Sequence, residues 1–350
     1  MSFHDVDPQL LLLRRQYIQL FEPDFLAWPP AKFLKDADVQ KWLYKHLFDP
    51  SRNQILPPEG YQLRVLKKLV TKLEKETENG EEDGVLGELT ARFKSFIAIG
   101  VSSEFRAAQE ETYVTFTCLT ENYNPENSSD CDSEPTITLL ERRQLVLGSQ
   151  ITGFRTWEAS LHLGSYLLTD AGSQIVRGKN ILELGAGAGF LSILLAKHLH
   201  AKHVTTTDGD EGVVESIREN LSLNGLNTQG KVKAGTLTWG HDPWETWIKD
   251  DCDVNPYDVV IGADITYNTT AISALVSTLH KLIERRSKLR VIIAGVVRNA
   301  ATFQKFRDDC TYRHFAVEEV HFEPKSMRQQ KALFYAAAVP IKILSINGAG

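Results

Sequence analysis

The chain has 350 residues, enough for two domains or for one domain with a large extension, and its 42% hydrophobic and 24% charged content is that of a soluble globular protein. A formal net charge of -6 gives no electrostatic reason to expect nucleic-acid binding, which usually leaves a basic footprint. Cys118, Cys131, Cys252 and Cys310 form no CxxC pair, which argues against a disulfide framework or a zinc site and for reduced cytosolic thiols.

The short apolar run Leu10 to Leu13 has acidic residues before it and Arg14 and Arg15 after it, the reverse of a secretory leader. No stretch approaches the length of a membrane span, so the expected compartment is the cytoplasm and no membrane partner is expected. Apolar residues then recur at helical spacing, first at Val39, Trp42, Leu43 and Leu47, then at Leu63, Leu66, Leu69, Val70 and Leu73. The acidic stretch Glu74 to Gly87 reads as an exposed loop, and Leu89, Phe93 and Phe96 suggest one more helix. A mostly helical region over residues 1–108 is the reading.

The character changes near residue 110. Thr112 to Leu119 is rich in β-branched and aromatic residues and predicts a strand, with Thr136 to Leu140 as a second strand beside it. Between them, Glu121 to Pro135 carries five carboxylates and no Lys or Arg, and reads as a solvated loop. From residue 179, strand candidates alternate with helix candidates. The strands are 180–184, 203–207, 231–234, 257–263 and 290–297; the helices include 191–199, 213–223 and 271–285. Such alternation argues for a parallel sheet covered by helices on both faces. Two strand-like runs close the chain, 315–322 and 332–339, with no helix-length segment between them, and predict a terminal antiparallel hairpin. Residues 109–350 are thus expected to form one Rossmann-like α/β domain.

The strongest local motif is Ile181-Leu-Glu-Leu-Gly-Ala-Gly-Ala-Gly-Phe-Leu191, a buried strand running into a glycine turn and a helix. Gly185, Gly187 and Gly189 permit a tight turn and let a ligand approach the backbone. Asp208 ends the next strand nineteen residues after Gly189, near the interval of about 20 at which a carboxylate meets ribose hydroxyls. It could instead cap the following helix, although Asp210 is better placed for that. Both S-adenosylmethionine and NAD would suit these two elements. His198, His200 and His203 cluster, but their spacing does not converge on a metal, so a surface helix end is expected and no metal site.

Five blocks occur in register: Thr152-Gly-Phe-Arg-Thr-Trp-Glu-Ala-Ser-Leu161, the glycine turn, Thr207-Asp-Gly-Asp-Glu211, Leu237-Thr-Trp239 and Gly262-Ala-Asp-Ile-Thr-Tyr267. Together they resemble the family-16 protein-lysine methyltransferases, and in particular those acting on elongation factor 2. The resemblance covers residues 110 to 340 well and the first hundred loosely. It implies a seven-stranded sheet with the last strand reversed, S-adenosylmethionine as cofactor, and trimethylation of a lysine on a cytosolic protein, elongation factor 2. By resemblance Trp157 lies against the cofactor, Gly185, Ala186 and Gly187 cradle its methionine portion, Asp208 holds the ribose, and Trp239 and Ala263 flank the adenine. As isolated residues, the two tryptophans would be read as core packing. Asp264 would attract and orient the incoming ammonium while Tyr267 offers an aromatic face and a hydroxyl. A monomer is expected. Other readings of the same residues are an enzyme of this fold acting on nucleic acid or a small molecule, a non-catalytic cofactor-binding module, and an NAD-dependent oxidoreductase.

Overall fold

The spacing of apolar residues over the first hundred positions does produce helices. The computed structural model describes residues 7–74, 87–101, 111–124, 131–142, 153–227 and 230–348. The chain divides into two compact units, Met1–Gly148 and Ser149–Gly350.

In the first unit, helix α1 (Pro8–Ile18) starts where the Asp7 carboxylate accepts the N–H groups of Gln9 and Leu10 at 2.8 and 3.3 Å. Then come α2 (Ala31–Leu34) and α3 (Ala37–Leu43), the latter capped by Asp36 and running into a π-helical turn at Tyr44–Phe48. The long α4 (Glu59–Glu74) buries Leu63, Leu66, Leu69 and Leu73, and α5 (Gly87–Ala98) buries Leu89 and Phe96. Strands β1 (Glu111–Thr117) and β2 (Thr136–Arg142) pair antiparallel. This hairpin lies within the first unit.

Of the loop expected over 121–135, residues 121–124 are largely exposed and 125–130 lie outside the described residues, but the end that precedes β2 corrects the expectation of a solvated loop. Asp132 accepts from Arg14 at 2.9 Å and from Arg52 at 2.7 Å, and Glu134 is buried on the Arg15 guanidinium. Their cations come from α1 and from the loop after the π-turn, so no local count of charge could reveal them. Most of the acidic stretch 74–87 lies outside the described residues.

The second unit opens with α6 (Glu158–Leu167) and α7 (Asp170–Val176), and then alternates. The elements are β3 (Asn180–Leu184), α8 (Phe190–Lys197), β4 (His203–Asp208), α9 (Glu211–Leu223), β5 (Val232–Thr236), α10 (Trp247–Val254), β6 (Val259–Ala263), α11 (Thr269–Arg285), β7 (Arg290–Val296), α12 (Ala300–Tyr312), β8 (Phe315–Val320) and β9 (Ile341–Gly348). They build a seven-stranded sheet in the order β5-β4-β3-β6-β7-β9-β8, with β9 antiparallel to both neighbours. Central strands β3 and β6 are buried at every position, as expected of strands covered on both faces. On one face Ile272, Leu275, Val276, Leu279 and Leu282 of α11 pack with Val260, Val291, Ile293 and Leu344 of the sheet. No described helix is long and apolar enough to cross a membrane.

Two expectations fail here. Residues 332–339 are not a strand; the last strand is β9, which follows them. The Gln330 side chain takes both backbone groups of Tyr335, accepting its N–H at 2.9 Å and donating to its carbonyl at 3.0 Å, so an amide occupies the place of a ladder. The Tyr335 hydroxyl meets His162 Nδ1 at 2.7 Å, and Leu333 adopts φ +49°. Nor are all three clustered histidines at the surface. His203 is buried at the start of β4, with Nε2 3.6 Å from Asp251.

The order of strands positions the site. From β3 the chain builds outward through β4 and β5, then returns to add β6 on the other side of β3. At that reversal the turns leaving adjacent strands diverge and open a crevice at their C-terminal ends.

Candidate active site

The glycine turn after β3 requires left-handed backbone three times: φ is +65° at Gly185, +55° at Gly187 and +85° at Gly189, which caps α8. At Gly185 space is restrictive as well. A Cβ there would stand 2.6 Å from the Ile265 side chain and 3.3 Å from Trp239.

Asp208 ties this turn to the end of β4. Its carboxylate accepts the Gly187 N–H at 3.1 Å and the Asp210 N–H at 3.4 Å. Capping of α9 falls to Asp210, which accepts from Val213 N–H at 3.0 Å, so Asp208 is not spent on the helix. Burial pushes the Asp208 carboxyl above its ordinary value, against the opposing pull of the Gly187 N–H. Further donors would favour its charged form. Beneath the turn, burial raises the Glu183 carboxyl to about 8, opposed by the Ser192 hydroxyl that donates to it.

A cavity of about 940 Å³ opens at the crevice, with Trp157, Gly185, Gly187, Asp208, Trp239, Ala263, Asp264 and Tyr267 all on its walls. Ala186 is not among the lining residues; its N–H donates to the Thr207 carbonyl at 2.9 Å and closes the turn. Gly189 lies off the cavity wall as well, and the other residues singled out in sequence for the site converge on one space.

Asp264 follows β6 directly and holds φ +55°, uncommon for a residue with a side chain and a form of strain found at functional sites. Its N–H reaches across to the Ala294 carbonyl of β7 at 2.8 Å, which keeps the backbone there. The carboxylate receives the Arg298 guanidinium in a two-pronged contact, Nη1 at 3.0 Å and Nη2 at 2.9 Å. Tyr267 is 55% exposed. Trp157 has two guanidinium groups by its ring, Arg155 at 4.2 Å and Arg298 at 5.5 Å from the centroid.

Arg298 was missed in the sequence, together with its cavity neighbours Asn299, Thr302 and Phe303. Arg298 and Asn299 follow the end of β7 closely, as Asp264 follows β6, while Thr302 and Phe303 sit at the start of α12. A rule that flags the C-terminal end of every central strand would have found Arg298 and Asn299.

The whole chain has clear relatives. A model of the lysine methyltransferase family matches residues 140–308. The protein-lysine N-methyltransferase EFM3 of Chaetomium thermophilum is 39% identical over 341 residues, covering 97% of this chain and 98% of that protein. EFM3 of Saccharomyces cerevisiae is 28% identical over 235 residues, covering 62% and 67%. The human protein-lysine N-methyltransferase EEF2KMT is 27% identical over 215 residues, covering 59% and 63%. With a relative of that identity along nearly its full length, and the sheet and crevice described above, the chain belongs to the lysine methyltransferase family.

Proposed function

We propose that this lysine methyltransferase takes its methyl group from S-adenosylmethionine and trimethylates a lysine of a protein, elongation factor 2. The observation that carries the reading is the convergence of the glycine turn, Asp208, Asp264 and Tyr267 on one cavity. The choice of elongation factor 2 rests on the sequence resemblance and accords with the names of the relatives EFM3 and EEF2KMT.

The residues present suit the cofactor. A Cβ at Gly185 would fill the cradle against Ile265 and Trp239, and the raised Asp208 carboxyl gains from hydroxyl donors such as those of an unphosphorylated ribose. Gly185, Ala186 and Gly187 would hold the methionine portion, Asp208 the ribose, Trp239 and Ala263 the adenine, with Trp157 alongside. When bound, S-adenosylmethionine supplies an electrophilic methyl group on a sulfonium.

The remaining work falls to the chain. A free lysine has a pKa of about 10.4, so neutralising it near pH 7.4 costs about 4 kcal/mol. Asp264 attracts and aims the ammonium, and the Tyr267 ring accommodates a cation that loses hydrogen-bond donors as methyls accumulate. Proton removal is assigned to neither residue, because water can carry the proton away.

Incubation of the purified protein with labelled S-adenosylmethionine and a cytosolic extract tests the reading. The expected outcome is one labelled protein of elongation factor 2 size. Labelled RNA or metabolites would redirect the substrate, and separate calorimetric titrations with S-adenosylmethionine and NAD check the cofactor.

A further inference from the structure

Asp264 already has a cation. Besides the two Arg298 bonds, its Oδ1 accepts the Val296 N–H at 3.4 Å, so three of about four lone-pair positions are taken. An ammonium arriving in the cavity would find one position left and a guanidinium charge beside it. The two partners differ in surroundings: the Asp264 side chain is 7% exposed, whereas that of Arg298 is 43% exposed. Arg298 also has a second carboxylate within reach. Its Nη2 lies 3.7 Å from Glu158 Oε2, and the Trp157 ring lies 5.5 Å from the guanidinium carbon.

We propose that Arg298 is an exchangeable counter-ion of Asp264, seated there while the site holds no substrate and passed to Glu158 when a lysine ammonium takes its place. This rests on the lysine-methylating role proposed for the cavity. A nearly buried carboxylate needs a partner at every stage, since leaving it alone is costly. The partner must also be removable at little cost, and a half-exposed arginine in water-screened surroundings meets that condition. Glu158, already 3.7 Å from Arg298 and shared with Arg155 at 3.5 Å, and the Trp157 face give the departing guanidinium an acceptor to move fully onto and a surface to slide on. Arg298 is thus a positioning residue that sets how readily the ammonium is admitted. A permanent clamp would call for a buried guanidinium with no alternative acceptor.

The test uses the full chain, with and without S-adenosylhomocysteine, titrated with n-butylammonium as the lysine side-chain probe at about pH 8, where an alkylammonium is protonated. Arg298→Gln should bind the probe about fivefold more tightly, the scale of a half-exposed ion pair. Glu158→Gln should bind it more weakly than the parent. The double variant should match Arg298→Gln, because Glu158 matters only as a destination for the arginine. Arg298→Lys should remain near the parent, and thermal unfolding of each variant checks that the fold is kept. With the protein substrate, KM should follow the same order while kcat changes little. Unchanged or weaker probe binding by Arg298→Gln would overturn the proposal and make Arg298 a fixed clamp. Failure of the parent to bind S-adenosylmethionine would strike the cofactor reading instead, and the ligand-free titration would still decide the role of Arg298.

Discussion

Two carboxylates in the cavity have opposite surroundings, and their replacement should separate binding from chemistry. Asp208 faces backbone N–H groups and lacks a cation among the contacts described. On the proposed reading, Asp208→Ala deletes two charge-assisted hydroxyl bonds, each worth about 1.5–3 kcal/mol. The Kd for S-adenosylmethionine should rise at least about a hundredfold by calorimetry, and an unchanged Kd would remove Asp208 from the ribose. Asp264 belongs to the substrate side. Asp264→Ala should abolish lysine methylation while the cofactor Kd stays within about threefold, and undiminished turnover would take Asp264 out of the mechanism. At this scale the glycine turn and Asp208 were legible in the chain because each is a short run whose backbone demands are local. Arg298 was not legible, because its partner lies 34 residues earlier and only the pairing of β6 with β7 brings them together.

Among the elements, the β3–turn–α8 unit carries a titratable group in its interior. Glu183 sits on β3 and takes the hydroxyl of Ser192 from α8, so a carboxyl links strand to helix directly under the glycine turn. Burial raises it from 4.5 to about 8, so the native state keeps a proton that the unfolded chain releases near 4.5. Its contribution is therefore fully present below 4.5 and is lost as pH rises toward 8. The neutral amide of Glu183→Gln has no such proton to lose. Between pH 6.5 and 8 the parent should lose on the order of 2 kcal/mol that the variant does not, as read from denaturant midpoints at the two pH values. Parallel slopes in the two proteins would contradict a protonated Glu183. The last strand makes a different point. Residues 332–339 and β9 are both apolar enough to pair, and the Gln330 amide, by claiming the backbone of Tyr335, leaves the ladder to β9.

At the scale of the molecule, two features set stability. His162 is held neutral by burial, which lowers it from 6.5 to about 4, so the second unit loses stability as pH falls through that window. Glu183 acts in the opposite sense, its contribution being lost as pH rises toward 8. In the first unit the Arg15–Glu134 pair is buried on both sides. Glu134→Ala leaves a buried guanidinium without its carboxylate and should cost about 3–5 kcal/mol. Chemical denaturation of the full chain checks this, and a loss below about 1 kcal/mol would mean that water reaches Arg15.

The sequence by itself determined helices near 39–47, 63–73 and 89–96, the alternation of strands and helices in the second unit, the glycine turn and the two acidic strand ends. Each is written in neighbouring residues, as periodicity, turn chemistry or a fixed interval along the chain. Only the tertiary structure decided which run became the last strand, that the acidic loop ends on Arg14, Arg15 and Arg52, and that Arg298 sits on Asp264. Those outcomes are competitions for partners far away along the chain. A hydrogen bond or an ion pair is settled by what else reaches the same atom, and that is known only once the chain has folded.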